Sequence, residues 1–406
     1  MRIHPFQAIR PVPERAAQVA AVPYDVVDAA EARALATGNP CSLLHVSRAE
    51  IDLPPDTDPY AEQVYKLAAG NFAELQRRGV LFRDTTPSLY VYRQRMGKHV
   101  QTGLMVCCHV EEYEANVIRK HEKTRADKEA DRIRHVLGVS ANTGPVFLTY
   151  RDVEAIDRLV AGIAGGAPLY DFTAVGGIQH TVWRAPGGEA LVAAFAAVPL
   201  CYIADGHHRA AAAAKAAATR RAANPGHTGH EEYNWFLAVL FPASQLQILP
   251  YNRCVVDLHG HTPESLLTAL RERCTITPDA VPSPSGACQC SAYLAGRWYG
   301  LSWPKPVAAD PVLVLDVSWL QNQVLEPLLG IRDPRTDKRI SFVGGIRGTG
   351  ELQKRVDAGQ DAVAFSMYPV TVEQVMDIAD ANTIMPPKST WFEPKLRSGL
   401  AIHTLD

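Results

Sequence analysis

Trp235-Phe236-Leu237-Ala238-Val239-Leu240-Phe241 is apolar at every position. A strand with one wet face alternates apolar and polar side chains. A short run without alternation reads as a strand buried on both faces, central in a sheet. Upstream, Leu200 to Ala204 is a second apolar strand. It turns at Asp205-Gly206 into an alanine-rich helix that reaches Ala223, where Asn224-Pro225-Gly226 stops it. Strand, tight turn and helix in this order place the chain in the α/β (α+β) class.

The remaining segments fit that class. Tyr24-Asp25-Val26-Val27 leads into a helix that ends near Gly38-Asn39-Pro40, and Pro54 to Pro59 is a loop. Val64, Leu67, Ala68, Phe72 and Leu75 fall at helical spacing and predict a helix from Tyr60 to Arg78. Leu89 to Tyr92 and Gln101 to Val110 read as strands around the turn Gly97-Lys98. Thr124 followed by Asp127 has the form of a capping box ahead of a charged helix reaching about Leu137. Strands are expected at 145–150 and 178–184. Beyond residue 256, helices are expected at 263–273, 317–329, 350–358 and 371–381, with strands near 339–343 and 362–367. Met385 to Thr390 is a loop, because Pro386 and Pro387 forbid a helix interior.

Length and composition bound the function. A chain of 406 residues allows two or three domains. Three regions are expected: an N-terminal α/β region over 1–108, a core over 109–258 and a C-terminal α/β region over 259–406. With a net charge of −2 and a pI of about 6.7, the chain lacks the basic footprint of a nucleic-acid binder. It has no apolar run long enough to span a bilayer and no leader-like start, so a cytoplasmic protein without a membrane partner is expected. Its eight cysteines form no CxxC pair. Cys107, Cys108 and Cys201 read as buried small hydrophobes, and Cys288 and Cys290 as ordinary thiols.

Four segments could carry chemistry. Asp205-Gly206-His207-His208-Arg209 puts three basic residues at a helix N-terminus, where the macrodipole favours anions. Cations there oppose the dipole, and that local conflict suggests that an anion occupies the turn. Arg119-Lys120-His121-Glu122-Lys123-Thr124-Arg125 places the Glu122 carboxylate just before a helix, where it could serve as a general base for a hydroxyl. Pro387-Lys388-Ser389-Thr390 sets an amine and two hydroxyls on a stiff loop, suited to a phosphate or a small polar substrate. Phe342 to Gly350 is a glycine-rich passage from strand to helix that fits neither the Walker nor the dinucleotide fingerprint. Bland alternatives stand beside three of them: Asp205 capping the helix with the basic side chains in solvent, a solvated charge run at 119–125, and an ordinary surface turn at 387–390. Asn142-Thr143-Gly144-Pro145 reads as a plain turn and 333–339 as a charged turn.

At the Asp205–Arg209 segment the chain resembles the free serine kinases, enzymes of the ParB/sulfiredoxin fold that phosphorylate the hydroxyl of free L-serine to O-phosphoserine. In that family this motif holds the nucleotide's phosphates, a His-Glu stretch upstream supplies the base, and a Pro-Lys-Ser/Thr-Thr stretch lies near the C-terminus. His121-Glu122 and Pro387-Lys388-Ser389-Thr390 match in the family's order. The whole chain is also similar to a larger bacterial ParB-like family, through Val22-Pro23-Tyr24-Asp25-Val26, Asn142 to Tyr150, Ala204 to Arg209, and Pro386-Pro387-Lys388-Ser389-Thr390-Trp391-Phe392-Glu393-Pro394-Lys395.

The resemblance implies a ParB/sulfiredoxin-like nucleotide-binding core with an insertion near 150–195, and added N- and C-terminal regions, the latter returning its 385–397 loop to the site. It implies Glu122, Asp205 and His207 as catalytic, and Gly206, His207, His208 and Arg209 on the phosphates. His121, Lys388, Ser389 and Thr390 would contact the substrate. The donor would be ATP or ADP, with Mg²⁺ carried mainly on the nucleotide phosphates and protein metal ligands unassigned. Homo-oligomerisation is left open. The chief alternative is a nucleotide-binding ParB-like regulator or sensor without turnover. A sulfiredoxin-like reductase would need a cysteine where this chain has His207.

Overall fold

The computed structural model describes residues 1–406. The chain divides into two compact units. One comprises Met1–Leu246 with Pro394–Asp406, and the other Gln247–Glu393.

The first unit is built on a nine-stranded mixed sheet. Along the sheet the strands run Ile118–Arg119, Cys201–Asp205, Val146–Tyr150, Trp235–Pro242, His99–His109, Leu89–Met96, Gln179–Ala185 and Tyr170–Thr173. Ile3–His4 pairs with the far end of His99–His109. Trp235–Pro242 lies between a parallel and an antiparallel neighbour, and all but its first residue is buried. Its unbroken apolar sequence is explained by that position: both faces are inside.

The helix His207–Ala223 packs on this sheet through alanines. Ala210, Ala213, Ala214 and Ala217, at helical spacing, join the core with Ile203, Leu148 and Ala238. Side chains this small let the helix axis approach the sheet, and nearby Ala216 meets Val136 on the helix Ala126–Val139. A second cluster of the unit gathers around the helix Glu62–Arg77, whose buried face includes Val64, Ala68, Phe72 and Leu75.

The units do not divide at 108 and 258, where the sequence reading set its boundaries. The hairpin Leu89–Met96/His99–His109 is hydrogen-bonded to Gln179–Ala185 on one side and to Trp235–Pro242 on the other. The 1–108 region therefore supplies middle strands of the first unit's sheet. The C-terminal residues return to the same unit, where His403–Thr404 pairs with Ala141–Asn142 and Ile402 bridges Ile9. Strand partners decide such boundaries, and sequence proximity does not reveal them.

The second unit has a six-stranded antiparallel sheet ordered Thr275–Pro278, Arg297–Ser302, Gln289–Leu294, Val363–Met367, Tyr251–Val255 and Ile340–Gly344. The strands at 251–255, 275–278 and 289–302 were not expected. Cys290 is in one of them, buried, and Cys288 precedes it with a positive φ of 61°. The helix expected over 317–329 is a short one, Asp316–Leu320, that widens into π turns at Gln321–Leu325. In the glycine-rich passage, packing explains Gly344 and Gly345. A Cβ at Gly344 would sit 2.8 Å from the Trp391 ring, and one at Gly345 would sit 2.7 Å from Pro250. No helix in either unit is long and apolar enough to cross a membrane.

Candidate functional site

The site grows from the end of the strand Cys201–Asp205. Gly206 turns the chain with φ +92° and ψ 32°, a conformation that side-chain-bearing residues avoid. A Cβ there would also lie 2.9 Å from the Arg209 guanidinium. The helix then begins at His207 without a side-chain cap. Its first backbone N–H groups have no partner within the helix, the usual condition of an N-terminus.

The side chains at this turn are not three outward-facing cations, and the charge argument drawn from the sequence is corrected here. His207 is buried at 5% exposure. Burial, with His121 beside it, drives its pKa well below the ordinary value, so the ring is neutral. Its Nε2 accepts the His121 backbone N–H at 3.4 Å, and its Nδ1 lies 3.9 Å from Glu122 Oε2. His208 is half-buried and its pKa is likewise lowered by burial. Its Nε2 accepts the Arg125 backbone N–H at 3.1 Å. Arg209 turns inward. It donates to the Pro145 carbonyl and, at 3.3 Å, to Asp205 Oδ2, with Asp25 Oδ2 at 4.0 Å.

Asp205 is therefore held from two sides, by Arg209 and by Lys395 Nζ at 3.4 Å. Burial alone would raise its pKa. Lys395 and Arg209 outweigh that and hold the carboxyl well below the usual range. A carboxylate so engaged is a poor ligand for a further cation. Asp25 faces Arg209, and Glu122 has a half-exposed side chain. One exposed carboxylate does not form an oxygen cage for Mg²⁺, which ordinarily keeps waters or substrate phosphates.

His121 packs edge-on against His207, ring centroids 4.5 Å apart at 87°. It is 1% exposed, and burial pushes its pKa down to about 4. The helix expected after Thr124 begins at Ala126, and the capping box is not made. Arg125 occupies the cap position, and the Thr124 hydroxyl donates instead to Glu129 Oε2 at 2.7 Å.

His121, Glu122, Asp205, Gly206, His207, His208 and Arg209 thus come together in the first unit. Lys388, Ser389 and Thr390 belong to the second unit, where Ser389 Oγ donates to the Pro386 carbonyl at 2.7 Å and Lys388 Nζ lies 5.7 Å from the Tyr251 ring centroid. Two residues at the turn had no assigned role in the sequence reading. Lys395 contacts Asp205, and Asp25 lies near Arg209. Both sit in stretches quoted for the wider resemblance, and that was their only sequence signal.

Lys395 is placed by a buried polar chain. Gln94 Nε2 donates to the Lys395 carbonyl at 2.9 Å, and the Arg397 backbone N–H donates to Tyr92 Oη at 3.3 Å. Arg397 Nε donates to His180 Nε2 at 3.4 Å, and His180 Nδ1 lies 2.7 Å from Tyr92 Oη. With Nε2 accepting, Nδ1 carries the proton of a neutral ring and donates it to Tyr92.

Comparison with known proteins adds a family and a distant set of folds. A free serine kinase in complex with AMP is 13% identical, with 73% of this chain and 92% of that chain covered and a TM-score of 0.37. SbnI with a C-terminal truncation, from Staphylococcus aureus, is 11% identical over 73% and 87%, at 0.39. A conserved hypothetical protein from Pyrococcus furiosus is 13% identical over 73% and 94%, at 0.36. These are distant likenesses. No curated protein sequence matches the chain. A family model described as "Protein of unknown function (DUF1015)" matches residues 3–318. The chain belongs to that family.

Proposed function

We propose that this chain is a small-molecule kinase that transfers a phosphoryl group from ATP or ADP to the hydroxyl of free L-serine. The observation that supports it most is the meeting of two motifs far apart in sequence. The Glu122 carboxylate lies 3.9 Å from the imidazole that opens the helix after Asp205-Gly206, while His121 and His207 are 86 positions apart. Phosphoryl transfer is chiefly positioning and charge stabilisation. The backbone N–H groups at the start of the helix His207–Ala223 are the natural partners of phosphate oxygens, and the Gly206 turn lets an anion approach them. In this reading the anion is held by amides and the helix dipole, with His207 and His208 contributing as neutral groups.

Glu122 orients the acceptor hydroxyl and takes its proton as the new P–O bond forms and the bond to the nucleotide breaks. Mg²⁺ would arrive on the nucleotide phosphates.

The test is incubation of the chain with L-serine, Mg²⁺ and either ATP or ADP, with O-phosphoserine read by mass spectrometry. Glu122→Gln keeps the shape but cannot accept the proton, and should cut kcat by about 10²–10⁴ while leaving the nucleotide KM in place. Nucleotide binding without phosphoserine would favour the regulator or sensor reading. Loss of nucleotide affinity with kcat intact would remove Glu122 from the role of base.

A further inference from the structure

His121, Glu122 and His207 form a cluster whose chemistry reaches beyond proton transfer. One nitrogen or oxygen from each lies within 4.8 Å of the others. Some point therefore lies within about 2.8 Å of all three, and closing to metal–donor lengths of roughly 2.0–2.2 Å asks for shifts well under an ångström.

A second observation comes from His121. Its ring is buried, and neither nitrogen has a hydrogen-bond partner, although one approaches the Ile203 carbonyl. An imidazole stripped of water and left without a partner is costly, and such groups call for an explanation.

We infer that His121, Glu122 and His207 form a binding site for a transition-metal dication of the Zn²⁺ type, with one position left open to solvent or a small ligand. Two imidazoles and one carboxylate are a borderline donor set. They suit Zn²⁺ and its neighbours and poorly suit Mg²⁺, which prefers oxygen. His207 would ligate through Nδ1, the nitrogen near Glu122. Its proton moves to Nε2, and the long contact from the His121 backbone N–H is given up. The site also regulates. On the reading that Glu122 is the kinase base, a bound ion takes the carboxylate out of service, so zinc inhibits turnover supported by Mg²⁺.

The binding test needs no turnover. ZnCl₂ is titrated calorimetrically into the full chain, freed of metal by chelation and without nucleotide, near neutral pH. One ion per chain is expected. Glu122→Gln and His207→Gln should each weaken it by more than the roughly 10–100-fold cost of losing an outer-shell partner. Circular dichroism checks the fold. Glu122→Gln alters a half-exposed side chain and decides the question if His207→Gln unfolds. No bound ion, or an ion bound equally well by the folded variants, overturns the site. Phosphoserine formation in Mg²⁺ with a zinc-selective chelator is measured separately. Zinc bound without any kinase activity leaves the site standing and sinks the kinase reading. Kinase activity without zinc binding does the reverse. Activity that is unchanged at saturating zinc overturns the regulatory claim.

Discussion

Arg209 shows how far a residue's role depends on where its side chain ends up. The sequence offers it as a phosphate contact at an exposed helix start. In the structure the guanidinium is folded inward, about 10% exposed, between Asp205 and the Pro145 carbonyl. Arg209→Ala should therefore act first on stability. Removing one partner of a buried ion pair leaves the other charge uncompensated, at a cost of about 3–5 kcal/mol. Lys395 also contacts Asp205 and will soften the loss, so the lower end is expected in urea unfolding. A variant as stable as the parent but impaired in nucleotide binding would return Arg209 to the phosphates.

At the scale of the element, the passage from the strand Cys201–Asp205 to the helix His207–Ala223 depends on one residue. Gly206 at φ +92° is left-handed, where an L side chain costs about 1–2 kcal/mol. Its added Cβ would in addition press on the Arg209 guanidinium at 2.9 Å. Gly206→Ala should thus lower stability by about 2 kcal/mol and misplace Arg209 and Asp205 together. A lowered melting temperature and weaker nucleotide binding are the expected readouts, and a neutral substitution would show that the turn relaxes freely. This element was legible beforehand because apolar strand, Asp-Gly and alanine run are local signals. The helix start at Ala126 was not, because Thr124 found a better partner in Glu129 than in the helix backbone.

Across the whole molecule, buried imidazoles set a pH dependence. Burial pushes His135 down to about 4 and His180 down to about 3, with Arg132 and Arg397 respectively adding to the effect. Both rings stay neutral when folded and become protonated in the unfolded chain below about 6.5. The unfolded state therefore binds more protons as the pH falls from about 6.5 towards 4. Each of these two histidines then removes up to about 1.4 kcal/mol of stability per pH unit. Urea unfolding at pH about 7 and about 5 should show a clear drop. His180→Gln, which cannot be protonated, should flatten part of the slope. A profile level between those two values would mean that the rings are not sealed from water.

Local patterning determined much of this protein. The central strand, the alanine helix, the turn at Gly206 and the class of the fold were readable because short-range sterics and burial periodicity are written in consecutive residues. Tertiary structure decided the rest. It placed Leu89–His109 in the middle of a sheet and returned Pro394–Asp406 to the first unit. It turned two histidines from presumed cations into neutral rings by burying His207 and half-burying His208. It brought Lys395 to Asp205 through Gln94, Tyr92 and His180. Charge state and ligand geometry depend on neighbours from distant segments and on the local dielectric, and neither is a property of a residue's own stretch of chain.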